Sequence, residues 1–226
     1  MLLISVMVIG FYRGNLAGTV QAAPVGSVPE VIPADDTEGE GPGRAPSQPS
    51  KSVPRAGSGE VRVAQFTKEA LPTQSGRTVR VRVEVEKDMP TLPEQAAADV
   101  AAILQDDRSW SSKQPVRFAF VGEGRHDLVI RVLTPSTTDE HCLPLDTGGE
   151  LSCSIGREVN LNGIRWETGI PDYAGDLPGY RAYLVNHEVG HYLGYGHESC
   201  PGPGKPAPVM MQQTKGLKGC ARNPWP

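Results

Sequence analysis

Three of the chain's five histidines fall in one eleven-residue run, His187-Glu188-Val189-Gly190-His191-Tyr192-Leu193-Gly194-Tyr195-Gly196-His197. That run restricts the local fold more than any other part of the sequence. Residues four apart on a helix project from the same face on successive turns. His187 and His191 can therefore offer two imidazole nitrogens to one metal ion. Glu188, one step round, stands beside that ion, where it can take a proton from water. Gly194 falls where the helix has to stop and turn, which suits a residue that tolerates positive φ. The turn returns His197 as a third ligand and leaves a fourth position open. Three protein ligands with an open position is the catalytic zinc arrangement, whereas a structural site is closed by a fourth. Histidines merely capped or buried in a helix would have no reason to share this register.

The surrounding sequence reads as an α+β domain. Thr78 to Glu86 (TVRVRVEVE) alternates β-branched and charged residues at period two, a half-exposed strand. Pro93 to Gln105 is Ala-rich with Pro at a first helical position, so it reads as a helix. Pro115 to Val121 and Asp127 to Leu133 read as strands separated by the turn residues Gly122 to Gly124. A loop carrying Cys142 and Cys153 follows, then a strand over Glu158 to Leu161. Pro178 opens a helix with Tyr180, Leu184, His187 and His191 on one face.

Composition divides the chain. Residues 23–59 are rich in Pro, Gly, Ser and acidic side chains and nearly free of aromatics, so they cannot bury enough apolar area to offset ordering and read as a linker. Residues 60–226 form the expected domain. Leu2 to Phe11 is an apolar run of signal-peptide length, and Val20-Gln21-Ala22 reads as a cleavage site, so residues 1–22 are expected to be a signal peptide. No Lys or Arg precedes that run, which keeps an uncleaved single-pass anchor open as the alternative. The net charge of −4 gives no electrostatic reason to expect nucleic acid or an anionic membrane surface as partner. Membrane contact is expected only through the N-terminal segment, and the chain is expected to be a monomer. Four cysteines in an exported chain favour two disulfides. Cys142 and Cys153 bracket a short step with turn residues and fit a local bridge. Cys200–Cys220 would then tie the segment after the third histidine to the C-terminus. Cysteine ligation of zinc is the weaker alternative, since the spacing is not that of a paired-cysteine site. His126 and His141 read as surface histidines, Asp172 and Asp176 as a solvated loop before a helix, and Trp110, Trp166 and Trp225 as packing anchors.

The histidine run resembles that of the metzincin clan of zinc peptidases, which follow it with a tight turn containing methionine. Pro208-Val209-Met210-Met211 stands where that turn is expected, with Met210 the better match and Met211 the second choice. The order of elements also resembles the clan's N-terminal subdomain, a twisted mixed sheet with a backing helix and an active-site helix. The end of the chain, from PVMMQQT to CARNPWP, resembles a family of exported actinobacterial proteins. What the resemblance implies is a secreted or envelope-located zinc endopeptidase with Glu188 as general base and a peptide or protein substrate. It also implies a substrate-pairing strand within residues 138–156. Two features depart from the clan. The tyrosine that some members supply after the methionine turn is replaced by Met211, Gln212 and Gln213, so the oxyanion is left to the zinc itself, with Tyr180, Tyr192 or Tyr195 as candidate helpers that each read first as packing residues. The residues after Met210 are interrupted by Gly216, Gly219, Pro224 and Pro226, so the C-terminal subdomain is expected to be small and irregular. Two rival functions use the same residues: a zinc-containing envelope module that binds without turnover, and a hydrolase of cell-wall peptides.

Overall fold

The computed structural model describes residues 52–226. The expected signal peptide or anchor and the greater part of the expected linker lie outside the described residues. The elements are β1 (Val61–Val63), β2 (Arg77–Glu86), α1 (Pro93–Leu104), β3 (Val116–Phe120), β4 (Leu128–Leu133), α2 (Pro135–His141), β5 (Cys153–Ile155), β6 (Glu158–Asn162), α3 (Gly163–Thr168) and α4 (Leu177–Tyr192). They make a mixed α+β domain around one six-stranded sheet of order β1-β2-β4-β6-β5. The ten-residue β2 organises it. Val81 pairs with Phe120 of β3 and with Leu128 of β4, and Val85 pairs with Arg62 of β1 and Val132 of β4. A strand has two edges, so β1 and β3 must share one edge of β2, end to end, while β4 takes the other. The pairs β2–β3, β2–β4 and β4–β6 are parallel; β1 and β5 run antiparallel to their neighbours.

The period-two pattern of β2 sorts its two faces. Val79, Val81, Val83 and Val85 are buried with Phe118, Ile130, Val132, Val159 and Leu161. Against this face pack α1, through Ala96, Ala97, Val100 and Leu104, and α4. Each fully buried branched side chain contributes on the order of 1.5–3 kcal/mol, so this layer is the main source of cohesion. The alternate positions do not all reach water as the pattern suggests: Glu84 and Glu86 are buried. Arg82 and Arg131 hold the Glu84 carboxylate at 2.6 and 2.7 Å, and Arg131 also reaches Glu158 at 2.7 Å. Glu86 accepts from the backbone N–H groups of Gly59 (2.9 Å) and Thr134 (2.7 Å) and from the Thr137 hydroxyl (2.9 Å).

Glu86 also meets the last residues of the expected linker. Residues 52–59, which the composition places in the linker, lie against the domain. Ser58 donates its N–H and hydroxyl to Asp88, Gly59 donates to Glu86, and Val53 packs on the core. Small polar residues attach here through backbone donors to acidic groups, which a count of apolar residues does not register. A chain begun at Glu60 is expected to lose about 1–3 kcal/mol relative to one begun at Ser52, because a buried carboxylate is left short of a donor. Urea unfolding of the two lengths measures this, and equal midpoints would show that the segment contributes nothing.

Four elements escape the periodicity reading, the three-residue β1 among them. α2 (PSTTDEH) has no apolar stripe; it is held by Pro at its first turn and by the buried Thr137 and Thr138, the latter bonded back to the Thr134 carbonyl at 2.9 Å. β5 is three residues long, and α3 is capped by the Asn162 side chain accepting from Ile164 and Arg165. Among the described residues no helix is long and apolar enough to cross a membrane. After α4 the chain is irregular apart from one 3₁₀ turn over Gln213–Lys215.

Candidate metal centre

Helix α4 is started and stopped by specific residues. The Asp176 side chain accepts from the Gly179 N–H at 2.9 Å, with Pro178 in the first turn. At the far end Gly194 takes φ +98°, its N–H bonds to the His191 carbonyl and the Tyr195 N–H bonds to the Gly190 carbonyl. This pair of bonds is the Schellman stop, and it reverses the chain so that His197 comes back over the helix end.

His187, His191 and His197 then meet: one ligand atom from each lies within 4.8 Å of the others. The ring orientations are set from outside. His187 Nδ1 lies 2.8 Å from the Val209 carbonyl, and His191 Nδ1 lies 2.9 Å from the Tyr195 carbonyl. A carbonyl only accepts, so each Nδ1 carries the hydrogen and each Nε2 presents a lone pair. His191 Nε2 faces His197 Nε2 at 3.1 Å. Two ligands of a tetrahedral ion with bonds of about 2.0–2.1 Å stand about 3.3 Å apart, so this pair fits a zinc-sized ion. The donor set is neutral imidazole throughout, which suits zinc better than an oxygen-seeking cation.

The segment Pro208–Met211 braces the centre from below. It closes as a turn, with the Met211 N–H on the Pro208 carbonyl; the Val209 carbonyl holds His187, and the Met210 carbonyl accepts from Glu198, next to the third histidine. Met210 is buried against α4 at Gly190, where an added Cβ would stand 2.3 Å from its sulfur and 2.6 Å from the Trp110 ring. Met211 packs instead with Ala207 and Cys220 in a second small cluster. Cys142 is bonded to Cys153, and Cys200 to Cys220, so the second bridge encloses the whole turn.

Glu188 is buried and has no side-chain hydrogen bond or ion pair among the described residues. It opens onto a cleft of about 340 Å³ that also exposes the three histidines. Burial pushes its carboxyl up to about 8. His187 is pushed down to about 4, first by burial and then by the neighbouring His191 and His197. His197 is lowered by burial, by His191 and by Lys215. One wall of the cleft is the loop from Leu145 to Leu151 together with β5, the last strand in the sheet order, whose outer edge has no strand partner among the described residues; the other includes Gln212, Thr214 and Lys215.

Tyr180, Tyr192 and Tyr195 are packing residues, as they first read in the sequence. Tyr180 is buried with its hydroxyl 3.0 Å from Thr214, and burial pushes it up to about 12. Tyr192 packs against the core, and Tyr195 lies tilted against Trp110 with ring centroids 4.5 Å apart. The tyrosine that lines the cleft is Tyr183, its ring 5.4 Å from His187 and its hydroxyl donating to the Met211 carbonyl. Its place one helical repeat before His187 was the available signal. His126 and His141 lie apart from the cluster, and Asp176 serves as the cap of α4.

Without metal, two of these groups tilt stability with pH in opposite directions. Glu188 ionises at about 8 when folded against 4.5 unfolded, so it costs stability as pH rises through that interval. His187 protonates at about 4 when folded against 6.5 unfolded, so its contribution is lost as pH falls through that interval. The slopes, about 1.4 kcal/mol per pH unit each, cancel between about 4.5 and 6.5. Chelated protein is therefore expected to weaken above and below that plateau. In Glu188→Gln the decline above it should disappear, and the acid-side decline should begin at about 6.5 instead of about 4.5, because nothing then offsets His187. Urea midpoints across pH test this, and an unchanged alkaline decline in the variant would refute the assignment.

The fold and site together define an α+β domain carrying a three-histidine candidate metal centre beside a buried carboxylate. The chain belongs to the family described as "Protein of unknown function (DUF3152)", whose model matches residues 47–225. None of the curated proteins matches it. Fourteen chains of solved structures do. That of myroilysin is 19% identical with a TM-score of 0.32, and the match covers 54% of this chain and 50% of that one. The chain thus spans about half the length of that structure.

Proposed function

We propose that this protein is a metzincin-type zinc endopeptidase, exported from the cell, in which His187, His191 and His197 hold the metal and Glu188 is the general base. The observation that carries the reading is the convergence of three imidazoles, two with Nδ1 occupied by carbonyls, beside an unpartnered carboxylate in an open cleft. Zinc, when bound, supplies a Lewis acid for water and for the scissile carbonyl. Glu188 takes the proton of the attacking water and returns it to the leaving amine. Burial raises its pKa and a neighbouring cation lowers it, which keeps the group between the extremes where it can do only one of the two. The free edge of β5 supports an extended peptide as substrate, paired as an added strand. The turn at Met210 supports the metzincin comparison, and the two disulfides support export.

The test is metal content and cleavage of an unfolded protein, measured on the same purified sample. One zinc per chain is expected, with cleavage lost to a chelator and recovered on adding zinc. One zinc without cleavage would favour the binding module, and cleavage confined to cell-wall peptides would favour the hydrolase of that polymer. Absence of metal would remove the basis of the proposal.

A further inference from the structure

The cleft beside Glu188 carries two exposed charges of opposite sign, one on each wall. Asp146 stands on the wall formed by the loop before β5, and Lys215 stands on the segment that follows the methionine turn, at the His197 end. Some charges elsewhere on the domain are paired, Arg80 with Asp127, Arg131 with Glu84 and Glu158, and Arg181 with Asp99. Asp146 and Lys215 have no ion pair among the described residues. Lys215 Nζ reaches only the neutral Gln212 Oε1 at 3.5 Å, and Asp146 Oδ1 accepts only the Gly148 N–H at 3.1 Å.

Both charges rest on braced backbone. Lys215 ends the 3₁₀ turn that starts at Gln213, a fully buried side chain with every polar atom engaged. Its Oε1 accepts from the Tyr173 hydroxyl and the Asn223 N–H, and its Nε2 donates to the carbonyls of Pro208 and Asn223. Asp146 lies inside the Cys142–Cys153 bridge, and Asp139 holds the next residues by accepting from the Thr147 hydroxyl and the Gly149 N–H. Charges presented on fixed segments cost little further ordering when a ligand arrives.

We infer that the cleft reads charge on its substrate at both walls, with Lys215 receiving an acidic side chain and Asp146 a basic one. The substrates are then peptides with one side chain of each sign flanking the reacting bond in a fixed order. This inference rests on the endopeptidase reading for the identity of the ligand. Neither residue reaches the reacting atoms; each selects the peptide and its direction.

The experiment uses zinc-loaded full-length Glu188→Gln and three dye-labelled peptides. Two have the same composition, with one Asp and one Lys exchanged in order, and the third has Asn and Gln in their places. By fluorescence anisotropy at low salt, one order is expected to bind about five- to twentyfold more tightly than the other, a ratio that shrinks as salt is raised. Adding Lys215→Glu or Asp146→Lys should flatten the preference, adding both should reverse it, and the neutral peptide should bind all four proteins alike. Equal binding of both orders would overturn the inference. So would a double exchange that weakens the neutral peptide as much as the charged ones, since that would be a structural effect. Cleavage by the chain with Glu188 intact separates the two proposals. An order preference without cleavage removes the endopeptidase and leaves charge reading standing, while cleavage without an order preference does the reverse.

Discussion

Glu188→Gln is expected to lower kcat on an unfolded protein substrate by about 10²–10⁴, the usual contribution of a positioned general base, with zinc still at one per chain. The reason lies in the surroundings of the carboxylate. It makes no ion pair that the substitution would break, and its shape is kept by the amide. Gln cannot accept a proton, so only the proton-transfer steps are removed. KM should stay within a few-fold of the original, because the substitution leaves the proposed substrate contacts along β5 and the cleft walls untouched. Steady-state kinetics with metal analysis on the same sample decides the matter. A variant within about tenfold of the original kcat would show that another group moves the proton.

Gly190→Ala should disturb the centre from beneath without touching any ligand. The new methyl would stand 2.3 Å from the Met210 sulfur and 2.6 Å from the Trp110 ring. A methionine end can usually move aside, but both side chains here are almost fully buried, and the Trp110 Nε1–H is fixed to the Asn186 carbonyl at 2.8 Å. The strain is expected to cost about 1–3 kcal/mol of stability. Because Met210 shares its turn with Val209, the His187 hydrogen bond should be displaced as well, lowering zinc affinity about 10–100-fold. Gly196→Ala is the control: it has the same chemistry in the same motif, with no atom within 4 Å of the new carbon. Zinc titration of the two variants should separate them clearly, and matching affinities would mean that Met210 does not transmit strain to His187.

What could be read from the sequence was whatever local physics dictates. The spacing of His187 and His191 requires a helix, and Gly194 was readable as its end because a positive φ there leaves few alternatives. β2, α1, β3, β4 and β6 carried apolar periodicities of 2 or 3.6 and were visible for that reason. α2 was not, since its buried positions are threonines, and residues 52–59 were not, since they dock by backbone donors to Asp88 and Glu86. Within the site the distant partners were hidden. That Val209 would hold His187, or that Lys215 and Asp146 would share one cleft, depends on how the chain returns after Gly194 and on the loop before β5. Neither path has a repeating pattern. Tyr183 is an intermediate case: its spacing from His187 was available, but only the packed structure shows that the face it shares borders the cleft.

The bridge between Cys200 and Cys220 gives this architecture a direction in time. The carbonyl that orients His187 belongs to a stretch closed into a loop by those two sulfurs, and the backbone N–H after His197 bonds to the same stretch. While the cysteines are reduced, the loop loses its covalent closure and keeps only hydrogen bonds such as those of Tyr183 and Gln213, so the carbonyl behind His187 is less firmly framed. If the centre holds zinc as proposed, tight metal capture is expected to follow oxidation. On the proposed reading, an exported zinc enzyme, the chain would bind zinc more weakly in the reducing compartment where it is made and gain its full affinity after leaving, so that the redox state of its surroundings would set where the centre is first filled.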